Sequence, residues 1–215
     1  MINLFSIAKQ IRQRGFYFVR RQFVFPEGRY KRGLLRRLQK VFKYDYFVET
    51  GTHEGRTPYY LQPYFKKIWT IELDDALFAR ASEFLRPFSN ISVLHGDSSE
   101  VLKEVVQQLG RPAIFWLDGH YSGGGTAKGR IAAPLAQELK VIASSPIKEH
   151  VIVIDDSSDF CLKEGNEQLS GIIAILEGIN RDYKFYSDYD MLFALPMESV
   201  HREFWRRIVY PFAIR

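Results

Sequence analysis

Five apolar segments of this chain, met in succession, each end on or just before an acid: Glu49, Glu72, Asp97, Asp118 and the pair Asp155 with Asp156. A single acid in such a place is an ordinary solvated loop residue. Acids at five successive segment ends repel one another unless a ligand, a cation or hydrogen bonds offset the charge. Glu72 follows Gly51 by about twenty residues, the separation at which a carboxylate can accept hydrogen bonds from ribose hydroxyls. Its alternative use is as a cap for the next helix, a task that Asp74 and Asp75 fill better. Asp97 has two uses that are compatible: accepting from an adenine amino group beside Ser98, and capping the helix that follows.

The first segment runs into Val-Glu-Thr-Gly-Thr-His-Glu-Gly, residues 48–55. Gly51 and Gly55 permit a tight turn and close approach of a ligand to the backbone. The spacing differs from the dinucleotide-binding fingerprint, and no Gly-Lys-Ser/Thr follows, so this is not a nucleotide P-loop. A plain strand-to-helix turn would also explain it. Further on, Asp118-Gly119-His120 opens a loop containing Gly123, Gly124 and Gly125. His120 is the best general-base candidate, because an imidazole titrates near neutral pH and neighbouring carboxylates raise its basicity. The bland reading is an orienting hydrogen bond to Asp118 or Asp155. The glycines could let the loop close over a substrate, or leave it a surface loop without a role.

Positioning these residues requires strands alternating with helices. Strands are expected at Tyr46–Glu49, Lys67–Glu72, Ile91–His95, Ala113–Asp118 and Val151–Asp155. Helices are expected at Pro58–Phe65, Asp75–Phe84, Ser99–Leu109, Ala133–Ser144 and Gly171–Asn180, with Pro63 disturbing the end of the first. Tyr183–Ser187 and Met191–Pro196 read as a closing hairpin. Five strands joined through helices imply a parallel sheet with right-handed crossovers, and the hairpin adds an antiparallel strand. The expected class is therefore α/β, a doubly wound, mostly parallel seven-stranded sheet preceded by N-terminal helices. Residues 1–44 are expected as a basic helical extension and 45–215 as the main domain. Within the extension, residues 25–28 read as a turn and Tyr30–Phe42 as a helix with Leu34, Leu35, Leu38 and Phe42 on one side.

The net charge of +5 conceals a division. Residues 1–40 carry eleven Lys or Arg against Glu27 alone, while the rest has nineteen bases against twenty-four acids. The acidic body argues against a nucleic-acid channel. The basic segment could cap the domain, meet a membrane surface or another anionic partner, or contribute to a lid or a homo-oligomer contact. Cys161 is the single cysteine and cannot form an internal disulfide. With no apolar run long enough to span a bilayer and with Lys9, Arg12 and Arg14 interrupting the N-terminus, a cytoplasmic location is expected.

In order and spacing, the glycine loop, the acid ending the second strand, Gly96-Asp97-Ser98 and the Asp ending the fourth strand resemble class I S-adenosylmethionine-dependent methyltransferases, over about residues 45–196. The resemblance implies a Rossmann-like fold and S-adenosylmethionine as cofactor. Glu49, Thr50, Gly51, Thr52, His53 and Gly55 would surround its methionine part, with Asp118 nearby. Glu72 would hold the ribose, and Asp97 with Ser98 the adenine. The usual second loop glycine is replaced by Thr52-His53. Asp118, Asp155 and Asp156 are similar to the magnesium ligands of macrocin-type O-methyltransferases, although this sequence has one acid fewer than the Asp-Gly-Asp-His pattern. Three such carboxylates could hold a Mg2+ ion that acidifies a hydroxyl; alternatively, they cap segments or meet basic side chains. The expected reaction is methylation of a hydroxyl on a small molecule or sugar, with Asp118 and His120 at the reacting centre. The rival reading is a non-catalytic cofactor-binding scaffold in a glycan or secondary-metabolite pathway.

Overall fold

A computed structural model describes residues 27–118, 132–157, 167–188 and 190–196. Its strands are β1 (Tyr46–Thr50), β2 (Lys67–Glu72), β3 (Ile91–His95), β4 (Ala113–Leu117), β5 (Val151–Ile154), β6 (Lys184–Asp188) and β7 (Met191–Leu195). The helices are α1 (Glu27–Phe42), α2 (Arg56–Leu61), α3 (Asp75–Leu85), α4 (Ser98–Gln108), α5 (Ala132–Ala143) and α6 (Glu167–Ile179). The described strands form one sheet in the order β3-β2-β1-β4-β5-β7-β6. Strands β1 to β5 are parallel, and β7 runs antiparallel to both β5 and β6.

Alternation along each strand divides the core in two. Phe47, Ile114, Trp116, Val151 and Val153 pack in one cluster with Leu34, Leu35 and Leu38 of α1. Val48, Phe115, Leu117, Ile152 and Ile154 pack in the other, with Leu102 and Val105 of α4, Leu139 of α5 and Ile173 of α6. The three α1 leucines recur at helical spacing and are fully buried, a burial that contributes about 1.5–3 kcal/mol for each side chain. Helix α1 is thus sealed onto the sheet, and Tyr44 just beyond it donates its hydroxyl to the Glu149 carbonyl at 2.6 Å.

The boundaries moved for local reasons. Glu27 and Gly28, expected in a turn, belong to the first turn of α1. Helix α2 stops at Leu61, and Gln62–Tyr64 continues as a 3-10 turn, since Pro63 has no N–H to extend the α ladder. Helix α6 starts at Glu167 rather than Gly171, because buried Leu169 extends the stripe of Ile172, Ile173 and Leu176 by one turn.

Candidate active site

The same two-residue period places the acids. Glu49 follows Phe47, Asp118 follows Trp116, and Asp155 follows Val153, so all three fall on the α1 side of the sheet. The strand ends stay in step: Asp118 N–H donates to the Thr50 carbonyl at 3.2 Å and Asp155 N–H to the Leu117 carbonyl at 3.0 Å. Together they line a cavity of about 300 Å³ beyond the C-terminal ends of β1, β4 and β5, with Lys31, Arg32, Gly51, Thr52, His53, Trp116 and Asp156. This is the edge at which doubly wound sheets bind ligands.

On the β1–β2 side, acids and loop satisfy one another. Gly51 turns the chain at φ 82°, and its N–H reaches the Ile71 carbonyl at 2.9 Å. Gly55 caps α2 at φ 72°, where a Cβ would lie 2.9 Å from Leu85 Cδ1, so neither backbone nor space admits a larger residue. Glu72 accepts the His53 N–H at 2.7 Å and the Leu73 and Asp74 N–H groups at 3.0 Å. His53 itself sits at φ 50°, a strained position held by that contact. Glu49 is buried and accepts the Thr70 hydroxyl at 2.6 Å, and the Thr70 and Thr52 hydroxyls are 2.6 Å apart. Burial pushes the Glu49 carboxyl up to about 8 against the Thr70 hydrogen bond, and the charges of Asp118 and Glu72 add to the rise.

On the β4–β5 side, the partner comes from far along the chain. Lys31 of α1 donates from Nζ to Asp155 Oδ1 at 2.6 Å, and Asp156 Oδ1 lies 3.9 Å from the same ammonium. Asp155 Oδ1 also accepts the Asp156 N–H at 2.9 Å, with Asp156 in the left-handed region at φ 48°. Burial raises the Asp155 carboxyl above the usual range, Lys31 pulls it down, and Asp118 and Asp156 push it up. Burial, and then Arg56, lowers the Arg32 guanidinium from its ordinary value. Trp116 lines the cavity and its buried Nε1–H has no partner among the described residues.

Those groups fit the sulfur nucleoside better than they fit a metal. A cationic sulfonium suits the acidic wall. For Mg2+ the fit fails while Lys31 is in place: its ammonium contacts Asp155, and in that arrangement no group of three or more His, Cys, Asp or Glu suited to a metal occurs among the described residues.

Of the residues expected from the sequence, Glu49, Gly51, Thr52, His53, Asp118, Asp155 and Asp156 line the cavity. Thr50 is buried beneath it, and Glu72 holds the glycine loop by its backbone. Asp97 is exposed and caps α4 by accepting from Ser99 N–H at 2.8 Å. The Ser98 hydroxyl donates to Glu138 of α5. His120 and the glycine-rich segment after it lie outside the described residues. Two cavity residues that the sequence does not single out are Lys31 and Arg32, which fall within the basic N-terminal helical extension. Nor does the sequence single out Trp116 or Leu73, an apolar residue 59% exposed immediately after Glu72. Carrying the alternation of Val151 and Val153 one step on to Asp155, and the stripe of Leu34 and Leu35 one turn back to Lys31, could have found that pair.

Comparison with solved structures places this architecture. An O-methyltransferase, TomG from Streptomyces achromogenes, involved in tomaymycin synthesis and solved with SAM, matches at TM-score 0.50 and 17% identity over 76% of this chain and 78% of its own. The N-methyltransferase NodS from Bradyrhizobium japonicum matches at 0.52 and 16%, over 80% and 96%. An O-methyltransferase from Bacillus cereus, solved with SAH, matches at 0.51 and 15%, over 88% and 90%. Neither a family model nor a curated sequence matches the chain. The chain has the Rossmann-like fold of class I methyltransferases. Among the described residues no helix is long and apolar enough to cross a membrane.

Proposed function

We propose that this chain is an S-adenosylmethionine-dependent methyltransferase acting on a hydroxyl of a small molecule or sugar. One observation carries the reading: Glu49, Asp118 and Asp155, from three adjacent parallel strands, share a single cavity with the glycine loop. When bound, the cofactor supplies an electrophilic methyl group on a positively charged sulfur. Glu49, Asp118 and the loop backbone from Gly51 to His53 would hold the methionine part. Glu72 Oε1 takes two N–H groups and Oε2 one, which leaves Oε2 a lone pair for a ribose hydroxyl. Leu73 offers an apolar surface beside it for the base. Catalysis would consist of alignment and removal of the acceptor's proton. His120, two residues beyond Asp118, is the proposed base on the strength of its chemistry.

The test is transfer of a tritiated methyl group to a panel of hydroxylated small molecules and sugars. Transfer to oxygen is expected, with His120→Asn slowing it by about 10²–10⁴-fold. Cofactor binding without transfer to any acceptor would favour the scaffold reading instead.

A further inference from the structure

The place expected for a divalent cation is filled by a side chain. Lys31 Nζ lies 2.6 Å from Asp155 Oδ1. A magnesium ion at that oxygen would have to approach to about 2.0–2.1 Å, displacing the ammonium, and the same oxygen already accepts the Asp156 N–H. Both partners are nearly inaccessible, with side-chain exposures of 10% and 4%. Leu34 and Leu35, one turn on, are packed in the core with Val151 and Val153 of β5, which holds the Lys31 backbone beside the cavity. Nor is the lysine a surface residue that folded inward by chance: it shares the cavity wall with Asp118, Asp155 and Asp156.

We propose that Lys31 is a built-in substitute for the divalent cation. Its ammonium offsets the carboxylates at the ends of β4 and β5, fixes Asp155 at the cavity and excludes Mg2+, so the site works without metal. Lys31 is a positioning residue that acts through Asp155. The catalytic consequence rests on the methyl-transfer reading; the exclusion of metal is a property of the free chain.

Paramagnetic Mn2+ added to the full chain and followed by electron spin resonance tests it. Wild type and Lys31→Arg are expected to leave the free Mn2+ signal intact at millimolar metal. Lys31→Met should acquire one saturable site, and the Lys31→Met/Asp155→Asn pair, which removes both charges of the buried ion pair, should lose it. Calorimetric affinity for S-adenosylhomocysteine should agree within about twofold in EDTA and in magnesium. Saturable Mn2+ binding by wild type that Asp155→Asn abolishes would overturn the proposal. So would tightening of S-adenosylhomocysteine by about tenfold or more on adding magnesium. Failure of a folded Lys31→Met protein to gain metal would equally overturn it, because the carboxylates would then not be a cation site. Absence of S-adenosylhomocysteine binding in every condition would sink the cofactor reading alone, and the Mn2+ comparison would still decide this one.

Discussion

The two sides of the cavity satisfy their buried acids differently. On the β1–β2 side, Glu72 is met by three backbone N–H groups, two of them its immediate successors. On the β4–β5 side, Asp155 is met by a lysine 124 residues earlier in the chain. The first arrangement closes a loop locally and tolerates changes in distant packing. The second holds only while α1 is seated, so it ties the site to the folding of the N-terminal helix.

Removing the distant cation should have the largest effect. Lys31→Met leaves Asp155 buried without its ammonium, which costs about 3–5 kcal/mol. Urea denaturation should show most of that loss restored when Asp155→Asn is added, a coupling that a double-mutant cycle measures directly. A single-variant loss no greater than that of an exposed ion pair would mean the pair is not truly buried. Next comes the local side. Gly55→Ala combines a positive φ with a contact to Leu85 and should destabilise by about 1–3 kcal/mol. Thermal melting reads this, and an unchanged midpoint would show that the loop can relax. Glu72→Gln should cost less stability than Lys31→Met, since its partners are backbone N–H groups, two of them its immediate successors, yet weaken cofactor binding through the glycine loop.

Acidity sharpens the contrast further. With Glu49 raised to about 8 from 4.5, the free protein carries it mostly protonated at neutral pH. A cationic ligand favours the charged form, so S-adenosylmethionine binding should release a proton and tighten as pH rises from about 6 to 8. The uncharged sulfur of S-adenosylhomocysteine should show a weaker trend, and Glu49→Gln should flatten both. Calorimetry in buffers of differing ionisation heat measures the proton count; identical pH profiles for the two ligands would contradict the assignment. The smallest effect lies away from the cavity. His150 is buried with its Nδ1 accepting the Ala113 N–H at 3.1 Å, and burial lowers it to about 4 from 6.5. Between those values the unfolded chain binds more protons than the folded one. Its contribution is therefore full above pH 6.5 and lost as pH falls toward 4, a slope that His150→Gln should reduce.

Legibility in the sequence follows the same division. Strands β2 and β3 were bounded correctly because apolar β-branched residues run up to an acid and a turn. Glu49, the glycine loop and Glu72 lie within 24 positions, close enough for spacing to carry information. Lys31 is harder to read as a site residue: it is one basic residue among eleven in its segment, and only the leucine stripe carried one turn back places it on the face of α1 that meets Asp155. Arg36, from the same segment, lies 4.4 Å over the Tyr64 ring, so that block is not simply a solvated charged face. Asp97 and Ser98 show another limit: their types suit both base contact and helix capping, and the structure shows the capping, through Asp97 Oδ1, and a Ser98 hydrogen bond to Glu138.

The central claim is that one cavity gathers strand-end acids around a sulfur nucleoside, and titrating the full chain with S-adenosylmethionine by calorimetry tests it most directly. The account predicts saturable one-to-one binding, weakened by about tenfold or more in both Glu49→Ala and Asp118→Ala. Absence of binding, or binding that neither substitution alters, would contradict it.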